Sequence, residues 1–172
     1  MLARCAASIS SKSIESTDQP PRVPRKYVLD TNCFVTAARD QQAAAAFEDF
    51  VARAAPGLWL SAVVAAELRA GARSARARRT LERQVLAPYV RRGRVLVPSA
   101  VSWDALGTTL GTLGEREGLD VRRAPRSFVF DVLVAHSCRE TGAVLVSSNA
   151  RDMRRIASVF AFEYVAPYPA PQ

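Results

Sequence analysis

Four short apolar runs, separated by stretches of helical periodicity, constrain the fold of this chain more than any other feature. They occupy residues 26–30, 58–60, 94–97 and 143–147. The last is apolar without a break from Ala143 to Val146, the pattern of a strand covered on both faces. Helices are predicted over 40–54, over 61–70 with Ser61 as cap and a stop near Gly71, and over 73–92 with a bend before Pro88. Others are predicted over 99–117, over 127–141 with Gly142 as a left-handed stop, and over 149–157. Residues 160–165 read as a fifth, edge strand, 118–126 as a loop, and Thr31 as the cap of a turn after the first strand. Strands alternating with helices imply an α/β sandwich, with a mainly parallel five-stranded sheet and helices on both faces. Ligands of such sheets bind beyond the C-terminal ends of the strands. That rule selects Asp30 and the stretches 61–67 and 147–152.

A length of 172 residues suits one domain. Composition places a leader at 1–25, the domain at 26–167 and a tail at 168–172. The leader is rich in Ser, Pro and Ala, and Arg4 interrupts its only apolar stretch, so it lacks the core of a signal peptide. No run approaches the ~20 apolar residues needed to span a bilayer. Cys5, Cys33 and Cys138 are odd in number, widely spaced and free of any Cys-x-x-Cys. That excludes a disulfide framework or zinc knuckle and fits a reduced, cytoplasmic protein with no membrane partner. Cys33, Cys138, Trp59 and Trp103 all lie in apolar patterns and are expected in the core.

Four carboxylates stand in awkward places. Asp30 ends a buried strand, where an acid is costly unless something binds it; the bland alternative is a turn former or helix cap. Glu67 has Val63 and Val64 one turn before it and Ala70 and Gly71 one turn after, so it sits inside the apolar stripe. Its alternative is an ion pair with an arginine. Asp131 precedes Val134, Ala135 and Cys138 on one face; its alternative is an ordinary acid in the first turn of a helix. Asp152 follows the 143–147 strand with Asn149 three residues before it, and its alternative is a cap or surface acid. All four converge on one edge of the inferred sheet, where like charges raise each other's pKa. A divalent cation resolves that repulsion, and all-oxygen donors select Mg²⁺ or Mn²⁺ over zinc.

The stretch VLDTN at 28–32 resembles the opening motif of PIN-domain nucleases, and LSAVVAAELRAG at 60–71 is similar to their second. FDVLVAHSCRETGAVLVSSNARDM at 130–153 resembles their third and fourth. Order and spacing agree over about 26–167, and the nearest type is the bacterial VapC toxin of type II toxin–antitoxin pairs. The resemblance implies a PIN-like three-layer sandwich and a Mg²⁺-dependent endoribonuclease. It also implies a homodimer held inactive by a cognate antitoxin, with transfer RNA a leading substrate. Residue by residue, it implies metal-binding and catalytic acids at Asp30, Glu67 and Asp131, with Asp152 as the fourth, more variable one. Asn149 is its helper, while Asn32 and Ser147 match small polar positions. The expected reaction is displacement of the 3′ oxygen by an activated water, leaving a 5′ phosphate. Phe130, Ser147-Ser148 and Met153 depart from the usual pattern without removing an acid, and the leader has no counterpart.

Rival readings remain open at this point. A phosphatase using Asp30 as nucleophile would want a second Asp two residues on, where Asn32 stands. A non-catalytic RNA-binding or regulatory module would be expected to have lost an acid. A DNA nuclease shares the same phosphate chemistry. His136 is five residues after Asp131 and is expected to be structural or at the surface.

Charge completes the reading. With 24 Lys and Arg against 16 acids, the net charge is +8 and the pI about 10.2, which points to an anionic partner. Nine arginines and one acid, Glu82, lie between Arg69 and Arg94, so that segment alone carries +8 (9 − 1) and the remainder is neutral. Arg76, Arg78, Arg79 and Arg83 form either a solvated face or an RNA-binding wall also open to an acidic antitoxin segment.

Overall fold

The computed structural model describes residues 24–168. Five parallel strands, β1 (Tyr27–Leu29), β2 (Leu58–Ser61), β3 (Val95–Leu96), β4 (Val144–Val146) and β5 (Tyr164–Val165), make one sheet in the order β3-β2-β1-β4-β5. Side chains alternate across this sheet as the pleat requires. Val28 and Leu145 face a core built with Val64 of α3 (Ala62–Gly71), Leu113 of α6 (Ala100–Glu117), Val132 of α7 (Arg126–Thr141) and Ile156 of α8 (Ala150–Ala157). Tyr27, Leu29, Val144 and Val146 face the other way, onto Cys33 of α1 (Thr31–Ala37) and Phe50 of α2 (Gln41–Ala54). The result is the α/β sandwich of three layers, with β5 at an edge. Phe50 is fully buried edge-on to Tyr27 at 5.6 Å, and burial of such a ring stabilises by about 1.5–3 kcal/mol.

Several local expectations are corrected. Thr31 does not cap a turn: residues Thr31–Ala37 form a helix, and Asp30 caps it by accepting the Thr31 N–H at 2.6 Å. The predicted basic helix over 73–92 is helical without a break from Ala75 to Arg91, but not uniformly α-helical. Ser74 caps α4 (Ala75–Thr80), a π-helical turn spans Leu81–Leu86, and α5 (Ala87–Arg91) follows with Pro88 in its first turn. Trp103 is 54% exposed, not core, whereas Trp59 is half-buried beneath the Lys26 ammonium. His136 takes the structural of its two expected places and is buried, and Cys33 and Cys138 are buried and free, as expected.

Gly142 closes α7 at φ +65°, as predicted. Gly57 is required for a different reason, because a Cβ there would lie 2.1 Å from the Arg25 carbonyl oxygen. Arg25 pairs with Glu163, and Tyr168 stacks on Phe50 at 5.4 Å. The rest of the leader up to residue 23, with Cys5, and the tail from residue 169 lie outside the described residues. No helix among the described residues is long and apolar enough to cross a membrane.

Candidate active site

Parallel strands point their C-terminal ends to one edge, and the chain places polar residues where three of them stop. Asp30 follows β1, and its N–H donates to the Val146 carbonyl at 3.0 Å. Ser147 follows β4 and donates its N–H to Val165 at 3.0 Å. The ladder therefore carries both residues to neighbouring strand ends. There the Ser147 hydroxyl donates to Asp30 Oδ2 at 2.6 Å, and Asn32 Nδ2 donates to the same oxygen at 2.6 Å. Asn32 also donates to Ser147 Oγ at 3.0 Å and accepts the Ser148 N–H at 3.2 Å. Asp30 is only 5% exposed, and neutral donors meet both of its oxygens.

Glu67 reaches this edge from α3, which Ser61 caps at its start by accepting the Val63 N–H. It is half-buried, and its Oε2 accepts the Thr31 hydroxyl at 2.5 Å. Thr31 is thus a site-supporting residue that sequence reasoning assigned to capping. The signal for it was a hydroxyl directly after the first acid. Asp131 lies in the second turn of α7, not the first, because the helix begins at Arg126. Its Oδ2 accepts one long hydrogen bond, from Asn149 Nδ2 at 3.4 Å. Asn149 caps α8 and bonds Asp152 in both directions, donating from Nδ2 at 2.7 Å and accepting the Asp152 N–H at 3.3 Å. The Asn149 N–H donates to Ser147 Oγ at 3.1 Å, which joins this group to the Asp30 group. No arginine among the described residues pairs with Asp30, Glu67, Asp131 or Asp152.

The electrostatics follow from this crowding. Burial raises the Asp30 carboxyl above its usual range, against the pull of Ser147, Thr31 and Asn32. Burial, together with the Asp30 charge, raises Glu67, while the Thr31 hydroxyl opposes it. Asp131 is pushed up to about 8 by burial and then by the charges of Asp30, Glu67 and Asp152. Uncompensated negative charge is what a cation site presents before it is filled. The donors are all oxygens, which suits a hard divalent ion. Among the described residues, however, no three His, Cys, Asp or Glu side chains close on one point as an ion requires. Glu67 is turned onto Thr31 and Asp30 onto its neutral donors.

A groove of about 980 Å³ runs from Thr31 and Glu67 past Phe34 and Leu68 to Arg76 and Thr80. Of the predicted basic wall, Arg76 therefore shares a groove with Glu67. Arg78, Arg79 and Arg83 are exposed and do not line it, and Arg69 is held by Glu82 at 2.6 Å. His136 takes no part: its Nε2 bonds Thr109 Oγ1 at 2.8 Å, and its ring stacks on Phe160 at 3.8 Å.

Comparison with solved structures returns the same sheet and helix arrangement. DNA-bound VapBC from Salmonella typhimurium is similar at 24% identity over 83% of this chain and 98% of that one, with a TM-score of 0.56. VapBC2 from Rickettsia felis, bound to a promoter DNA fragment, matches at 23% identity over 81% and 97%, with a TM-score of 0.55. FitAcB from Neisseria gonorrhoeae matches at 17% identity over 80% and 95%, with a TM-score of 0.57. No curated protein matches the chain significantly by sequence. The family model of the PIN domain matches residues 27–159, a span that runs from β1 through α8 and contains all four acids. The chain belongs to the PIN-domain family, whose members are generally nucleases that use divalent metals.

Proposed function

We propose that this protein is a metal-dependent endoribonuclease of the VapC type, the toxin of a toxin–antitoxin pair. The observation that carries the reading is the hydrogen-bonded run Asp30–Ser147–Asn149–Asp131/Asp152, with Glu67 beside it on Thr31. Asp30, Glu67 and Asp131 would hold Mg²⁺, or Mn²⁺, with Asp152 assisting. The ion supplies a lowered water pKa and positive charge opposite the phosphodiester. The chain's own residues set the stage for it. Asn32 and Ser147 fix the Asp30 carboxylate from one side, and the α1 N-terminus fixes it from the other. Asn149 spaces Asp131 from Asp152 by donating to both. No histidine is needed as a base, since His136 faces Thr109.

The VapBC and FitAB neighbours support an antitoxin partner, and several of them are complexes on DNA. By analogy this chain forms a homodimer whose antitoxin occupies the groove beside Glu67, and the free toxin attacks RNA, with transfer RNA the first to test. Purified protein should cut total RNA in Mg²⁺ and not in EDTA. Asp30→Asn keeps a capping side chain and should fold normally but lose cleavage. Wild-type cutting by that variant, or preferential cutting of DNA, would reject the reading.

A further inference from the structure

Along the chain the positive excess is confined to residues 69–94, but the fold redistributes the balanced remainder. The acids Asp40, Glu48 and Asp49 are exposed at or in α2, on one face of the sheet. Arginines gather instead where the end of α6, the start of α7 and α8 meet on the other face. Two interactions establish that meeting: Arg155 of α8 pairs with Glu117 of α6, and it lies over the Phe128 ring of α7 at 4.9 Å. Around this junction Arg122, Arg123, Arg126, Arg151 and Arg154 are all exposed. Arg122 and Arg123 have side chains 97% and 90% exposed and, among the described residues, pair only with Asp120, at 4.0 and 3.5 Å. Such surface pairs are worth little and exchange readily for a phosphate. Among the described residues, no ion pair engages Arg126, Arg151 or Arg154.

Position gives this patch its meaning. Arg126 starts α7 five residues before Asp131, about 7.5 Å along the axis and about 140° around it, so the two share one end of the helix but not one face. Arg151 precedes Asp152 in the first turn of α8. The patch therefore lies at the ends of α7 and α8 that also carry Asp131 and Asp152, on the β4 side of the sheet. Arg76 of α4 shares the groove with Glu67 on the β2 side, and Asp30 of β1 lies between. The start of α7 adds to it, since Pro125 supplies no side-chain cap and residues 125–127 are exposed.

We propose that Arg122, Arg123, Arg126, Arg151 and Arg154 form a second nucleic-acid-binding wall, so that an RNA strand is gripped by its phosphates on both sides of the cut. The proposal rests on the nuclease reading for where the cut lies, and its test separates the two. The full-length protein is titrated in EDTA against a fluorescent 20-nucleotide single-stranded RNA and a 4-nucleotide one, at several salt concentrations. Arg122→Ser/Arg123→Ser/Arg126→Ser and Arg151→Ser/Arg154→Ser are compared with Arg91→Ser/Arg92→Ser, a control at the end of α5 near the opposite edge of the sheet.

Each wall variant should weaken binding of the long RNA about tenfold and lower its salt slope by ~0.7 for each phosphate that is no longer neutralised. The control and the short RNA should change little. An unchanged slope, or an equal loss in the control, overturns the second wall. If Mg²⁺-dependent cleavage survives that result, the nuclease reading stands alone. Wild-type protein that neither binds nor cuts RNA overturns both.

Discussion

Asp30 and Asp131 are both buried at the same sheet edge, 5% and 9% exposed, yet their surroundings differ in kind. Asp30 is met by the Thr31 N–H, Asn32 and Ser147, each at 2.6 Å. Among the described residues, Asp131 has only the 3.4 Å hydrogen bond from Asn149 and faces three other carboxylates. One corner is preorganised by neutral donors. The other resists ionisation, because burial and three neighbouring carboxylates make the Asp131 charge costly, a cost that a stable fold tolerates at a functional site rather than elsewhere. The Asp30 corner should therefore keep its geometry with or without an ion, whereas the Asp131 corner should depend on one.

The largest test of this contrast is activity. Asp131→Asn and Asp30→Asn should each lower cleavage at least about a hundredfold, the scale seen when one transition-state-stabilising group is removed. Rates are compared at saturating Mg²⁺. Retention of activity by Asp131→Asn alone would make Asp30 the sole essential corner.

Stability should separate the corners next. A carboxyl whose pKa is raised on folding stabilises the fold fully below its unfolded value, and the benefit is lost as pH rises through the folded value. For Asp131 that window runs from 3.8 to about 8. Asp131→Asn should therefore melt several degrees above wild type at pH 8 without metal, and close to it near pH 4. The difference between the two proteins isolates Asp131, because His136, lowered by burial and Arg139, acts in the opposite sense below its ordinary value. Mg²⁺ or Mn²⁺ should raise the wild-type Tm at pH 8 and leave Asp131→Asn nearly unmoved. Equal shifts in both would dissolve the contrast.

Ser147→Ala probes the preorganised corner. It removes one donor from a buried carboxylate, a change worth about 1–3 kcal/mol, and should weaken metal affinity about tenfold, as loss of a supporting hydrogen bond typically does. Both are measurable by denaturant titration and calorimetry. The smallest effect is expected at Thr31. Thr31→Ala frees half-exposed Glu67 and should lower activity only a few-fold, with Thr31→Ser restoring it. A loss as large as that of Asp30→Asn would show that Thr31 touches the reacting groups.

Much of this layout was legible from local pattern. The 143–147 run is apolar because β4 is covered on both faces, and three of the acids, Asp30, Glu67 and Asp131, stand out because each interrupts an apolar stripe or ends a strand, while Asp152 is marked only by its place after β4. Trp103 was misplaced because it shares a helix with buried Leu106 and Leu110 while pointing to solvent. The helix at Thr31–Ala37 was missed although a helix cap was one of the two roles read for Asp30, because the two were weighed as alternatives and the residue fills both at once. Asp131 moved from the first to the second turn because α7 starts at Arg126 with no side chain to mark its cap.

What the sequence determined by itself is what periodicity and hard chemistry determine: alternating strands and helices, the C-terminal edge as the place to look, and an oxygen-rich, acidic site. The tertiary structure decided which groups answer one another. Ser147 meets Asp30 across 117 residues and Thr31 meets Glu67 across 36, distances over which no local pattern carries information. It also decided where charge accumulates. A segment that sums to zero along the chain still presents five exposed arginines on one patch, because folding sorts residues by face and edge rather than by order.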